Sequence, residues 1–308
     1  MRKLAISLSV AIALAAGAAQ AKELKSVGIS VGSLGNPYYV ALAAGAEHAA
    51  KAINPSVRVT ALGFERDINK QFEQIDNYIA AGVDLIVMSA ADPVAVEPAV
   101  RKAQAAGIKV LAVDNSVENA DVIVTTNNVS AGTIACQYIA DKIKDKGNVI
   151  IQNGPQNSGV IDRVVGCKAV FAKYPDIKIL SDNQDGKSSR EGGMDVMLGD
   201  LTRFPKIDGV FTCCDPQAIG SDLAAKQLKR NDIVITSVDG APDIVTALKS
   251  DTLIQASASQ DPYGMAVKAV NMGYDLMNGK TVDPKKILVE PQLVTRDNVN
   301  DYKGWGGN

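Results

Sequence analysis

Residues 84–114 read DLIVMSAADPVAVEPAVRKAQAAGIKVLAVD. Asp84–Ser89 is a short unbroken apolar run, the kind a parallel sheet buries on both faces. Pro93–Ala106 reads as a helix, opened by a proline and ended by Gly107. Lys109–Asp114 reads as the next buried strand. A strand, a helix and a strand in this order form a βαβ unit, and its strands must be parallel.

The same alternation extends in both directions. Ser26–Val31 and Val57–Leu62 read as strands. A helix opens at Pro37, and another spans Ile68–Ala81 and stops at Gly82. Downstream, strands are expected at Val122–Thr125, Asn148–Gln152, Ile177–Ser181, Gly209–Cys213, Ile233–Val238, Thr252–Ala256 and Ile287–Glu290. Helices are expected over Ala131–Lys144, Val160–Lys173, Arg190–Leu201, Pro216–Lys229 and Pro262–Met277. About ten such units are too many for one open sheet, so the fold class is α/β with two doubly wound, Rossmann-like lobes.

Length and composition agree. A chain of 308 residues suits two domains. Aromatics make up only 5% while Gly numbers 26, which fits closely packed α/β layers. Met1-Arg2-Lys3 is basic, Leu4–Ala19 is apolar, and Ala19-Gln20-Ala21 follows. This is the pattern of a secretory signal peptide over residues 1–21, cleaved after Ala21. Cleavage removes two basic residues and no acids, taking the net charge from -2 to -4. An acidic chain without basic runs is a poor partner for nucleic acid or anionic membrane. No cysteine stands near the cleavage point for a lipid anchor, and no second segment is suited to cross a bilayer. A free, exported product is expected.

Cys136, Cys167, Cys213 and Cys214 can pair fully in three ways, and sequence does not choose among them. A bridge between the adjacent Cys213 and Cys214 would be strained. A single bridge would favour Cys136–Cys167, both read as helical residues of one lobe. No metal is expected: there is no CxxC, and the only histidine, His48, is far away and reads as a solvated polar residue. No cofactor is implied.

Ligands of open parallel sheets bind at the carboxyl ends of the strands. Those exits carry Asn36-Pro37-Tyr38-Tyr39, Ser89, Asp114-Asn115, Asn153–Arg163, Cys214-Asp215 and Asp239-Gly240. Carboxylates, amides and a guanidinium suit a neutral polyol, whose hydroxyls both donate and accept. Tyrosine faces suit the C–H faces of a sugar ring. Tyr38 and Tyr39 are adjacent on a helix, so one is expected to meet ligand more fully. Asp215, before Pro216, reads as a helix cap. Trp305, in the Gly-rich tail, is not assigned to the site.

In their order and spacing these motifs resemble the periplasmic sugar-binding proteins of ABC importers, in the branch that includes the ribose binder. The marks are Asn36-Pro37-Tyr38-Tyr39, Asp114-Asn115, Arg163-x-x-Gly166 opening a helix, Asp215-Pro216-x-Ala218-Ile219-Gly220, Val238-Asp239-Gly240-x-Pro242-Asp243 and Gln260. The resemblance implies a type I periplasmic binding fold with chain crossings near Thr126-Asn127, Ser259-Gln260 and Glu290. Residues 22–126 plus 260–289 would form one lobe, and 127–259 plus 290–308 the other. It implies ligand contacts from Asn36, Tyr38, Tyr39, Ser89, Asp114, Asn115, Arg163, Cys214, Asp239 and Gln260. Its implied partners are a monosaccharide or sugar alcohol and the membrane permease of an importer, with the receptor a monomer.

The chain also departs from that pattern. Cys214 and Ser89 stand where asparagines are usual, and Asn115 where the ribose binder has an arginine. The aromatic expected around Gly186–Ser189 is missing. These changes argue against ribose itself and leave room for a sugar alcohol or a differently shaped monosaccharide. A signalling receptor of the same fold is the runner-up. A sugar-responsive repressor would carry a helix-turn-helix where this chain has an export signal. An exported enzyme lacks GxSxG, HExxH and P-loop motifs, and has only Asp114 and Asp239 as candidate paired carboxylates.

Overall fold

The computed structural model describes residues 21–305; the expected signal peptide falls almost entirely outside them. The first sheet contains β1 (Ser26–Val31), β2 (Arg58–Gly63), β3 (Leu85–Met88), β4 (Lys109–Val113), β5 (Val122–Thr126) and β11 (Lys286–Val289). The second contains β6 (Gly147–Gln152), β7 (Ile177–Ser181), β8 (Gly209–Thr212), β9 (Val234–Asp239), β10 (Ile254–Ser259) and β12 (Leu293–Thr295). Their spatial orders, β11-β5-β4-β3-β1-β2 and β12-β10-β9-β8-β6-β7, are one strand order used twice. Every pairing is parallel except β10 with β12.

Helices cover both faces of each sheet. On the first, α1 (Pro37–Ile53) and α9 (Pro262–Met277) pack on one side, and α2 (Ile68–Ala80) and α3 (Glu97–Ala105) on the other. On the second, α4 (Asn128–Lys142) and α5 (Ser158–Phe171) face α6 (Arg190–Arg203), α7 (Asp215–Gln227) and α8 (Pro242–Leu248) across the sheet. The central strands β3 and β8 are buried at every position, so their apolar runs carry no alternation. Each fully buried Ile, Leu or Val contributes about 1.5–3 kcal/mol.

The chain passes from one sheet to the other between β5 and α4, between β10 and α9, and between β11 and β12. That is why α9 packs beside α1 although some two hundred residues separate them. Among the described residues no helix is long and apolar enough to cross a membrane.

Three local expectations need correction. The helix read from Pro93 begins at Glu97, because Asp92 Oδ1 accepts the Val94 and Ala95 N–H groups and holds residues 93–96 in a turn. Arg163 does not open its helix: α5 starts at Ser158, capped by Asn157, and Arg163 lies in the second turn. The strand read over Thr252–Ala256 runs instead from Ile254 to Ser259. The short α8 and β12 were not foreseen; the latter exists only through its pairing with β10.

α4 and α5 cross closely, since a Cβ on Gly132 would overlap the Arg163 carbonyl and one on Gly166 the Val129 carbonyl. Cys136 and Cys167 bridge this same pair, with Cα atoms 5.1 Å apart. The two remaining cysteines, Cys213 and Cys214, are buried thiols.

Candidate functional site

The carboxyl ends of both sheets face one narrow cavity of about 60 Å3, several times the roughly 10–15 Å3 that one water occupies. Asn36, Tyr38, Tyr39, Asp114 and Asn115 line it from one side. Arg163, Cys214 and Asp239 line it from the other, and Gln260 stands at the crossing between them. It adjoins a wider mouth of about 650 Å3 between the sheets.

Asp114 directly follows β4 and has φ 75°; Asp239 ends β9 with φ 142°. Both lie where L-residues are rare, and backbone strain of this kind clusters at ligand sites. On Asp114, Oδ1 accepts the Tyr38 hydroxyl at 2.9 Å and Oδ2 accepts Ser89 Oγ at 2.9 Å. On Asp239, Oδ1 accepts Gln260 Nε2 at 2.7 Å, with Arg163 Nη1 at 3.5 Å, and Oδ2 accepts the Asp215 N–H at 3.3 Å.

The Arg163 guanidinium is buried and held by neutral acceptors. Nε donates to Asn128 Oδ1 at 2.8 Å and Nη1 to the Cys213 carbonyl at 2.6 Å. Gln260 links the lobes: its Oε1 accepts Thr126 Oγ1 at 2.7 Å while its Nε2 serves Asp239.

Burial dominates the acid–base behaviour. It pushes the Asp239 carboxyl up to about 6, against Arg163, Gln260 and the Asp215 N–H, which hold it down. Burial also raises Asp114, opposed by Arg163, Ser89 and the tyrosines. Tyr38 is raised by burial and by both carboxylates, so its hydroxyl stays protonated and donates.

Not every residue read from the sequence reaches the cavity. Ser89 does not line it: fully buried, it donates to Asp114 and accepts Asn115 Nδ2 at 3.1 Å. Asn36 lines the cavity but also caps α1, with Oδ1 accepting the Tyr38 N–H at 3.0 Å. Both tyrosines line the cavity, Tyr38 buried and Tyr39 half-buried, in an edge-to-face pair 5.4 Å apart. Asp215 is not the cap of its own helix. Its Oδ1 accepts Ser237 and Ser257 hydroxyls and its Oδ2 the Ala241 N–H at 2.7 Å, at the start of α8. It is a buried support beneath Asp239. His48 is exposed on α1.

Sequence reasoning missed Trp305. Its Nε1 donates to the Asp239 carbonyl at 2.8 Å, and its ring meets the Tyr38 ring edge-on at 5.7 Å. Tyr302 likewise donates to the Gly240 carbonyl at 3.0 Å. A lone tryptophan in a glycine-rich tail was the only signal. Asn157, Gly159 and Ser188 also line the cavity; the first two lie in the Asn153–Arg163 strand exit, and Ser188 is in the loop where an aromatic was expected. Among the described residues no group of His, Cys, Asp or Glu side chains is placed to hold a metal ion.

Two mostly parallel sheets of the same strand order, with polar groups of both converging on one cleft, define a two-lobed binding protein. A family model described as a periplasmic binding protein domain matches residues 27–281, and the chain belongs to that family. It is a periplasmic binding receptor and not an enzyme. The chain is 32% identical over 238 residues to a xylitol-binding protein of Mycolicibacterium smegmatis, covering 76% of this chain and 67% of that protein. It is 31% identical over 275 residues to the ribose import binding protein of Bacillus subtilis, covering 88% and 87%. Among solved structures, an ABC transporter solute-binding protein from Mycobacterium smegmatis with bound glycerol superposes with TM-score 0.83 at 27% identity, over 92% of this chain and 98% of that one.

Proposed function

We propose that this receptor captures a monosaccharide or sugar alcohol in the cleft and presents it to the membrane permease of an ABC importer. The observation that carries this reading is the ring of acceptors and donors contributed by both lobes. Asp114 and Asp239 accept from hydroxyls, Arg163 donates, and the tyrosine faces cover carbon. The groups that complete such a shell come from different lobes, so ligand favours the closed arrangement and shifts an open–closed equilibrium. The lobes are residues 22–126 plus 260–289 and residues 127–259 plus 290–308. The exported chain begins after cleavage at Ala21.

The departures from the ribose pattern point to a small polyol rather than ribose. The residues that line the cavity from the second lobe include no aromatic ring; Ser188, Cys214 and Gly159 form that wall instead, and the Trp305 indole stands behind Tyr38 rather than in the lining. One aromatic wall suits a flexible or compact polyol better than a flat pyranose gripped from both sides.

The test is a thermal-shift screen of ligand-stripped mature protein against pentoses, hexoses, tetritols, pentitols, hexitols, inositols and amino acids. Ligand at about 100 times its dissociation constant adds about 2.7 kcal/mol, a shift of several degrees for a chain this size. A shift with an amino acid and with no polyol would overturn the ligand class.

A further inference from the structure

Cys213 and Cys214 join β8 to α7, with their sulfurs 3.6 Å apart. Cys214 lines the cavity, and Cys213 lies fully buried behind it. The carbonyl of the peptide joining them accepts Arg163 Nη1 at 2.6 Å. The next amide along, that of Asp215, donates to Asp239 at 3.3 Å. This dipeptide thus positions both the cation of the cleft and one of its carboxylates.

We propose that Cys213 and Cys214 form an oxidation site whose bridging lowers the affinity of the cleft for its ligand. The effect on affinity rests on the function proposed above. The periplasm permits disulfides, and Cys136–Cys167 is already bridged.

The bridge disturbs the cleft for a geometric reason. A disulfide brings sulfurs to about 2.05 Å and ordinarily spans Cα atoms about 4.4–6.8 Å apart. Adjacent Cα atoms across a trans peptide are only about 3.8 Å apart. From 3.6 Å the sulfurs must close by about 1.5 Å, and the ring so formed contains the peptide bond itself. It closes only if that peptide turns, and the Cys213 carbonyl turns with it. Arg163 then loses its shortest hydrogen bond, and Gln217 Oε1 loses the Cys213 thiol that donates to it at 2.9 Å.

The oxidant is a low-molecular-weight disulfide. The Cys214 thiolate attacks one of its sulfurs, the S–S bond breaks, and one thiol leaves. Cys213 then attacks Cys214 Sγ, expels the second thiol and closes the ring. Two protein thiols become one disulfide, the oxidant becomes two thiols, and both protons pass to the leaving sulfurs. The hydrogen bond with Cys213 and burial hold the Cys214 thiol well above its usual range. Attack is therefore slow while the cleft is shut, and bound ligand covers the sulfur.

Mature protein carrying its Cys136–Cys167 bridge is incubated with hydroxyethyl disulfide, with and without ribose or xylitol. Intact mass and peptide mapping read the bridge, and calorimetry reads the affinity for the same two probes. The expected result is a loss of two hydrogens at residues 213–214, slower with ligand present. Affinity drops about tenfold or more, the factor carried by a lost hydrogen bond to a charged group, and returns on brief reduction. In Cys213→Ser no thiol resolves the mixed disulfide on Cys214, so the mass rises by one hydroxyethylthio group instead of falling by two hydrogens. A bridge that leaves affinity unchanged or raises it overturns the proposal, as does persistence of both thiols in ligand-free protein. If the reduced protein binds neither probe, the proposed function is what fails for them, while the mass still decides whether the oxidation site exists.

Discussion

Asp114 and Asp239 stand at equivalent places in the two lobes, at the carboxyl ends of β4 and β9, and their surroundings are opposite in kind. Asp114 is held by two neutral hydroxyls, from Tyr38 and Ser89. Asp239 is held by an amide, by a backbone N–H and by a guanidinium 3.5 Å away. Duplicate topology supplies a carboxylate from each side, but the charge is compensated directly on one side only. A single cation, Arg163, lowers the cost of ionising both. The cleft is thus electrostatically one unit, although its two walls are chemically unlike.

Removing Arg163 should break this arrangement most severely. Arg163→Ala leaves two buried carboxylates without a cation, and removing one partner of a buried pair costs about 3–5 kcal/mol. Polyol affinity should fall by a factor of about 100 or more, measured by calorimetry. An Arg163→Ala protein that binds as tightly as wild type would show that the shared cation is irrelevant.

The two carboxylates should differ when each is neutralised. Asp239→Asn strips Arg163 of its only carboxylate within ion-pair distance among the described residues. Asp114→Asn loses acceptors for neutral hydroxyls alone. Hydrogen bonds to charged groups are worth about 1.5–3 kcal/mol, so each change should weaken binding by roughly 10–100-fold, with Asp239→Asn the worse. Equal losses would mean that the asymmetry of the walls does not matter to ligand.

Titration sharpens the comparison further. The folded-state value of Asp239, about 6, lies above its ordinary value, and Asp114 is raised too. The folded protein therefore holds these protons longer than the unfolded chain does. Ligand-free stability should rise as pH falls through about 6 towards the ordinary carboxylate range, and be lower above it. Asp200, pushed up to about 6 mainly by burial and with Oδ2 unpartnered, shares this window, so Asp200→Asn is the control. Melting temperature against pH should flatten partly in each of Asp239→Asn and Asp200→Asn. Polyol affinity should move the other way and weaken on acidification, because a protonated carboxyl is a poorer acceptor. Affinity that rises below pH 6 would contradict the acceptor role.

The smallest effect should come from behind the cleft. Trp305→Phe keeps the ring against Tyr38 but removes the bond to the Asp239 carbonyl. A neutral hydrogen bond is worth about 1 kcal/mol, roughly fivefold in affinity. Trp305 is the only tryptophan, so wild-type fluorescence should also change on binding. No change in either measurement would leave the tail as packing only.

The βαβ reading of residues 84–114 was secure because buried parallel strands and Gly-ended helices are local patterns. The elements it missed are too short to carry a period: α8 has seven residues and β12 three. In the site, the strand-exit rule found the positions but not the roles. Ser89 and Asp215 stand at exits as polar as the rest, yet both are fully buried supports for the two carboxylates.

By itself the sequence determined the alternation of strands and helices and the polar character of the exits, since each depends on neighbours within a few residues. Only the tertiary structure decided which exit side chains meet in the cavity and which stand behind it. That choice rests on the positive φ of Asp114 and Asp239, on the close crossing of α4 and α5 that sets Arg163, and on contacts over long separations. Trp305 reaches the Asp239 carbonyl from 66 residues away, and Tyr38 stands 222 residues from Gln260. No local pattern encodes such contacts, because they form only when the chain has crossed between the lobes and both sheets are in place.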